Sequence, residues 1–382
     1  MKIYRIDTPW EKKEVLDRLG CDKTGSEIMA RKMETHLFVI RDLKAGAANI
    51  LKQDALASGA DLALPAGAVV CRQERFDAVL MGTKRELQAL ARREKIQPFG
   101  LRELSVRLEE FLKERRYEPR IMGVVNANDD SFYPGSRYRE SAAVEAIGRM
   151  IEEGARIVDI GGVSSRPGSE PVSAEEEMAR LKPILDTIRS ESLAKEADFS
   201  IDSYTPEVVA YALACGFSIV NDITGLRNET LGKLARDHGA KMVLMHMQGT
   251  PRTMQKNPSY DHVVLDVDRF FEERIERAER IGLAREDLIL DVGIGFGKSL
   301  EHNLTLLRNH ATFLRHACEL LIGASRKSMI DRIIPTPTEA RLPGTLAIHL
   351  KAVENGATIV RCHDVAEHRQ ALAVWEAMGK TV

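Results

Sequence analysis

Short apolar runs recur along the C-terminal two-thirds of this chain, and each ends in polar residues: IMGVVN, ARIVDIGG, DFSIDSY, FSIVNDITG, KMVLMH, LILDVGIGFGK, LLIGASRKS and ATIVRCHDV. The polar ends are Asn126, Asp159, Asp202, Asn221–Asp222, His246, Asp291, Ser325–Arg326–Lys327 and Arg361–His363–Asp364. Unbroken apolar runs of this length suit strands buried on both faces, and most are separated by enough amphipathic sequence for a helix. The pattern predicts an α/β fold, a (β/α)8 TIM barrel with one site over the carboxyl ends of its strands. A sheet serving only as core would not require ionisable groups at nearly every strand end. Helices are predicted over Glu140–Glu153, stopped at Gly154, and over Ala174 to about Arg189, where Ser173 and Glu176 make a capping-box pattern. A third covers about His262–Ile281 and stops at Gly282. Its stripe of Val264, Val267, Phe271, Ile275, Ala278 and Ile281 faces a core.

Ahead of the barrel the pattern changes. Strand-like stretches stand at Met1–Ile6, His36–Ile40 and Ala78–Met81, and helical ones at Leu43–Ser58 and Lys84–Lys95. Leu101, Leu104, Leu108, Phe111 and Leu112 keep helical spacing up to ERRYEPR, where Pro119 punctuates. Residues 1–117 therefore read as a smaller α/β or α+β domain, and 118–382 as the barrel. No nucleophile–base pair, phosphate loop or metal-spaced cluster stands out in the first domain, and no function is legible there.

Composition narrows the class. The chain exceeds a typical barrel by roughly 100 residues, in keeping with an added domain. It is 44% hydrophobic and 29% charged with a net charge of −2, ordinary for a globular protein. Arg92–Arg93 and Arg115–Arg116 lie beside glutamates, so no basic face suggests nucleic acid. The start, MKIYRIDTPWEKK, lacks a signal-peptide core, and no run approaches about 18 apolar residues, which points to a cytoplasmic protein without a membrane span. The five cysteines include no CxxC pair, as expected of reduced thiols. Strand alternation turns Cys362 away from the face of Arg361.

Several groups carry chemistry. The loops from Asn126 to Gly135 and from Gly161 to Gly168 are polar and glycine-rich, as lids over a barrel mouth are. Asp291-Val-Gly-Ile-Gly-Phe-Gly-Lys-Ser299 is neither a P-loop, because Val292 stands where a glycine is needed, nor a GxGxxG fingerprint. Its glycines are expected to let the backbone approach a flat ligand. Arg361 and His363, two apart, share a strand face and form with Asn126 a corner for an anion. Asp202, Asn221 and Asp291 suit a heterocycle with several N–H donors. Lys327 puts a cation at a strand end. His246 fits either the site or a structural role.

From about residue 120 onward the chain resembles dihydropteroate synthase, through MGVVN…DSF, DIGGxSxRPG, SIDSY, IVNDITG, LMHMQGTPRTMQ, DxGIGFGK, SRKS, GTLA and RxHDV in order. The resemblance implies condensation of 6-hydroxymethyl-7,8-dihydropterin diphosphate with p-aminobenzoate, by an SN1-like course. It places Asp159, Asp202, Asn221, Asp291 and Lys327 in a pterin pocket, and Asn126, Arg361 and His363 on the diphosphate, with Mg2+ near Asn126. Ser165, Arg166, Pro167, Phe296 and Ser328 match positions around p-aminobenzoate. Lys327, Arg361, His363 and Asp202 are the residues assigned to catalysis, and a homodimer is expected. Asn128, Asp129, Val163, Ser165 and Val292 depart from the family's usual residues, mostly on the two loops, which concerns the amine and the rate more than the pterin. The first domain is absent from the common form of the family. Two rivals use the same pocket. A pterin-dependent methyltransferase barrel has no support from a DxHxxG corrinoid motif, since none of the ten histidines has an Asp two residues before it. Retention of Lys327, Arg361 and His363 argues against a non-catalytic pterin-binding paralogue.

Overall fold

The structure is a computed structural model that describes residues 32–112, 118–127, 136–164, 168–169 and 172–379, with isolated positions before residue 32. The predicted strand Met1–Ile6, most of the first loop including Asn128 and Asp129, and Ser165, Arg166 and Pro167 lie outside the described residues. The chain forms two compact units, Met1–Arg116 with Gly379–Val382, and Tyr117–Met378.

The first unit contains β1 (Thr35–Lys44), α1 (Ala45–Ser58), β2 (Asp61–Ala63), β3 (Arg75–Thr83), α2 (Lys84–Glu94) and α3 (Leu101–Phe111). Its sheet has the order β1-β3-β2 and both pairings are antiparallel, so this unit is α+β. Phe76, Ala78 and Leu80 alternate along β3 onto the covered face and pack with Leu51, Leu87 and Leu90 of the helices. Thr83 opens α2 with a reciprocal capping box, its side chain accepting from the Glu86 N–H while Glu86 accepts from the Thr83 N–H.

The second unit is the barrel. Its strands are β4 (Arg120–Asn126), β5 (Ile157–Gly161), β6 (Asp198–Asp202), β7 (Ile219–Asp222), β8 (Lys241–Met245), β9 (Leu288–Asp291), β10 (Glu319–Ile322) and β11 (Ile359–Cys362). All pair in parallel, and β11 closes on β4. The eight apolar runs of the sequence are these eight strands. Around them stand α4 (Ser136–Glu153), α5 (Ala174–Ser190), α6 (Pro206–Ala214), α7 (Glu229–His238), α8 (Val263–Ile281), α9 (Leu300–Arg308), α10 (Ser328–Ile333), α11 (Leu342–Glu354) and α12 (Val365–Gly379). Helix α8 ends at Gly282, in the left-handed region as expected. The capping box predicted for α5 forms on one side only. Ser173 accepts from the Glu176 N–H, but the Glu176 carboxylate pairs with Arg180 one turn on, 2.7 Å away. A charged partner on the same helix face outcompetes a backbone N–H.

Alternation along each strand divides the barrel residues. Outward ones, such as Val158, Ile160, Val220, Leu244, Leu290, Ile322, Val360 and Cys362, join the large core beneath the helices. Inward ones build a separate apolar plug of Met122, Ile157, Ile219, Val243, Ile289, Leu321 and Ile359. Below the plug, Glu319 at the start of β10 is 6% exposed and pairs with both Arg120 of β4 and Lys241 of β8. Each pairing skips a strand, so one carboxylate fastens three staves of the ring.

Burial alone would push the Glu319 pKa up, but Lys241 and Arg120 outweigh it and hold the carboxyl below its ordinary value. Its stabilisation is therefore present above the unfolded-state pKa and disappears as pH falls through the lower folded value. Glu319→Ala is expected to cost about 1–3 kcal/mol, since both cations stay partly hydrated. Urea unfolding at pH 7 and pH 3 measures this. Equal losses at both pH values would show that the charge is not the source.

Candidate active site

Two residues above the apolar plug, the same inward faces turn polar. Ile157 is succeeded by Asp159, Ile219 by Asn221, Ile289 by Asp291 and Ile359 by Arg361, while Asp202 ends β6 beside Asn221. The pleat thus collects charged and amide groups from five strands at one level, over a dry floor.

Arg361 organises this level. Its Nε donates to Asp159 Oδ2 at 2.6 Å and its Nη2 to Asp202 Oδ2 at 2.8 Å. Asn221 Nδ2 donates to the same Asp159 oxygen at 3.0 Å. Burial disfavours the guanidinium charge, but Asp159 and Asp202 outweigh it and hold Arg361 protonated more firmly than usual. The Asp202 carboxyl moves the other way, pushed up by burial and by the neighbouring Asp159 charge. Asp159 Oδ1 is buried and has no hydrogen-bond partner among the described residues.

Asp291 accepts from the Gly293 N–H through Oδ1 at 2.8 Å, and burial raises its pKa despite that bond and nearby Lys327. Lys327 donates to the Ile294 carbonyl at 2.6 Å and lies 4.1 Å over the Phe296 ring. Beside Phe296, Ile223, Met245, Met247 and Met254 form an apolar wall. Sequence reading named none of these four, although alternate methionines in LMHMQ could have signalled it.

On the rim, His363 is exposed and its Nδ1 lies 2.9 Å from Ser325 Oγ. Arg361 and His363 were expected to act from one face. Instead Arg361 turns into the mouth onto carboxylates, whereas His363, just beyond the strand end, engages the next loop. Arg326 is a scaffold residue whose Nε and Nη2 grip Asp364, at 3.0 and 2.5 Å. Asn126 ends β4, half-buried, in register with Gly161. Ser328 is exposed at the start of α10. Asp222 belongs to its own turn, accepting from Thr224 and Leu226.

His246 is buried and engaged by neighbouring protein groups. Its Nδ1 meets Lys298 Nζ at 2.9 Å, and its ring sits edge-on to Phe270, with centroids 4.8 Å apart. Lys298, missed in the sequence, is 1% exposed and also donates to the carbonyls of His246 and Phe296, at 3.2 and 2.9 Å. Burial lowers its pKa to about 7. Its Nζ meets all three groups at once, which clamps the glycine loop onto the end of β8. The loop's glycines also correct an expectation. A Cβ on Gly293 would lie 2.1 Å from the His246 carbonyl oxygen, and one on Gly297 would lie 2.6 Å from that of Gln248. Both residues have positive φ, so glycine serves the loop's approach to protein backbone there.

Known proteins match this arrangement. The family model for pterin binding enzymes matches residues 122–363. The bifunctional dihydropteroate synthase/dihydropteroate reductase of Helicobacter pylori is 39% identical over 382 residues, covering all of both chains. The dihydropteroate synthase of Escherichia coli K12 is 42% identical over 260 residues, 68% of this chain and 91% of its own. The crystal structure of Yersinia pestis dihydropteroate synthase with a sulfonamide drug complex aligns with TM-score 0.63 at 37% identity, over 68% of this chain and 94% of that one. On the strength of these matches, the chain belongs to the dihydropteroate synthase family of pterin-binding enzymes.

Proposed function

We propose that the two halves of the synthase reaction are divided between the buried polar level and the rim. The chain condenses 6-hydroxymethyl-7,8-dihydropterin diphosphate with p-aminobenzoate to 7,8-dihydropteroate and pyrophosphate. The observation that carries the assignment is Asp159 Oδ1, buried and without a hydrogen-bond partner among the described residues. A buried acceptor left unsatisfied costs about 1–3 kcal/mol, which a ring N–H or amino group of the pterin would recover. Asp159 and Asp202 pair with Arg361, and Asp291 feels the charges of Lys327, Arg361 and Lys298 without an ion pair to any of them among the described residues, which leaves carboxylate acceptors that suit a donor-rich heterocycle. Asn221 adds an amide, and the methionine wall with Phe296 supplies flat apolar faces.

Arg361 keeps Nε and Nη2 on the carboxylates, and Nη1, with no partner among the described residues, is left for a diphosphate oxygen. His363 and Asn126 join it, and Lys327 closes the other side. The C–O bond breaks with its electron pair on the departing diphosphate, and the electron-rich dihydropterin carries the exocyclic cation. The amine nitrogen then forms the C–N bond and sheds a proton. The protein's part is a fixed field of cations around the leaving charge. Asn126 offers a single oxygen, which fits Mg2+, an ion that takes few protein ligands when phosphates and water complete its shell. Among the described residues no group of three acidic, His or Cys side chains could hold a metal. When bound, Mg2+ would neutralise diphosphate charge. Phe296, Ser328 and the loop residues Ser165, Arg166 and Pro167 frame the amine in this reading. A cytoplasmic homodimer that binds no nucleic acid completes it, and no described helix is long and apolar enough to cross a membrane.

The N-terminal unit motivates a second activity. The E. coli synthase covers only 68% of this chain, whereas the H. pylori relative named for both activities matches from end to end. We infer that this chain also reduces dihydropteroate, with a hydride donor as co-substrate.

Burial lowers the Lys327 pKa to about 8, against the pull of Asp291. Its ammonium is lost as pH rises through that value, so kcat/KM for the pterin diphosphate should fall about tenfold per pH unit beyond it. Lys327→Arg should remove that alkaline limb whatever its absolute rate. A limb that persists in the arginine variant belongs to another group.

Sulfonamides should compete with p-aminobenzoate, and their binding should require pyrophosphate or the pterin substrate. Asn128→Thr with Asp129→Pro should raise p-aminobenzoate affinity a few-fold by restricting the first loop. Steady-state pyrophosphate release with mass detection of dihydropteroate checks both. Release without any pteroate product would mean that the loops serve another nucleophile.

Supplying 7,8-dihydropteroate with reduced nicotinamide or reduced flavin should yield tetrahydropteroate by mass. Residues 118–382 alone should keep synthase turnover and lose this reduction. A full-length chain inactive with every donor would exclude the second activity.

A further inference from the structure

Two histidines that take no part in the chemistry above lie buried behind the rim, His349 on α11 and His368 on α12, each 1% exposed. The Ala324 N–H, just past β10, donates to His349 Nε2 at 3.0 Å. His349 Nδ1 lies 2.8 Å from His368 Nε2, and His368 Nδ1 lies 2.6 Å from the Asp364 carbonyl oxygen, just past β11. The two ends fix the direction of the whole chain. A backbone N–H can only donate, so His349 Nε2 holds a lone pair and its Nδ1 carries the proton. That proton is donated to His368 Nε2, which leaves the second ring's proton on Nδ1, facing a carbonyl that can only accept. Both rings are therefore neutral Nδ1–H tautomers, and no other assignment satisfies all three bonds. Burial favours the same neutral forms, pushing His349 to about 3 and His368 below its ordinary value.

The wire joins two loops, Ala324 to Lys327 and His363 to Asp364, that also touch through Ser325–His363 and Arg326–Asp364. The Ser325–His363 contact is exposed and uses His363 Nδ1. The histidine pair is sealed from ligand. We propose that His349 and His368 are positioning residues, a one-way hydrogen-bond wire that keeps the loops of Lys327 and His363 in register around the departing diphosphate. This rests on the placement of diphosphate at that rim.

The test uses the full chain. Long-range 15N–1H spectra of 15N-histidine protein at pH 7, assigned through His349→Gln and His368→Gln, should show both rings as neutral Nδ1–H tautomers. A protonated ring or an Nε2–H tautomer at either position overturns the wire. His349→Phe should raise KM for the pterin diphosphate about tenfold, with KM for p-aminobenzoate changed less than about twofold. His349→Gln, whose amide offers an acceptor and a donor at similar spacing, should restore KM to within about threefold. A folded His349→Phe with unchanged KM for the diphosphate substrate overturns the positioning role. Should that variant not fold, His368→Gln and the wild-type spectra still decide. If Lys327→Gln also leaves this KM unchanged, the diphosphate placement itself is wrong and the proposal falls with it, whereas the tautomer result would stand.

Discussion

A parallel strand in a closed barrel shows every second residue to the interior, so a side chain that moves one step along its strand leaves the site altogether. Asp159, Asn221, Asp291 and Arg361 each sit two steps above a buried apolar residue of the same strand, and their shared level follows from that period. The intervening residues, Val158, Val220, Leu290 and Val360, are committed to the helices outside. Packing and chemistry are thereby written on alternate letters of the same short words. Closure of the ring makes the arrangement compulsory, because no strand can slide without breaking two neighbours.

The polar level so formed is electrostatically unfinished. Arg361 binds two carboxylates, yet one oxygen of Asp159 is buried without a donor among the described residues, and burial raises both Asp202 and Asp291. Removing a charge from water and leaving it incompletely paired is costly, and proteins tolerate it where a ligand completes the set. The structural spending goes elsewhere in the same loops. Lys298 satisfies three acceptors, Arg326 grips Asp364, and Asp222 caps its own turn. Saturated groups hold the backbone, and unsaturated ones face the mouth.

The barrel and its strand ends were legible because buried parallel strands announce themselves as apolar runs and their termini as abrupt polarity. The polar level was legible as a set of residues but not as a geometry. Spacing placed Arg361 and His363 together on one face, yet β11 stops at Cys362, and a period-2 argument does not extend past the last paired residue. The glycine loop misled for a related reason. Composition signals that a backbone comes close to something, but not whether the neighbour is a ligand or the carbonyls of His246 and Gln248. Lys298, His349 and His368 left no sequence signal, because a buried lysine or a histidine pair is defined by partners about 20 to 50 residues away, brought near only by the fold. The half-formed cap of α5 shows the same limit locally, where Arg180 took the carboxylate that the motif assigned to the backbone.

Closure of the barrel by β11 on β4 has a consequence for the chain as it is made. The N-terminal unit and the first seven strands of the ring leave the ribosome before the eighth exists, so the free edge of β4 waits unpaired from its own synthesis until that of β11, and the edge of β10 over the shorter stretch between β10 and β11. Arg361 rides on that last strand, and Glu319, the clasp of the barrel floor, comes only one strand earlier. An unfinished chain therefore has neither a sealed ring nor the guanidinium that organises its carboxylates. The ring and its polar level are thus completed in one event, by the same strand.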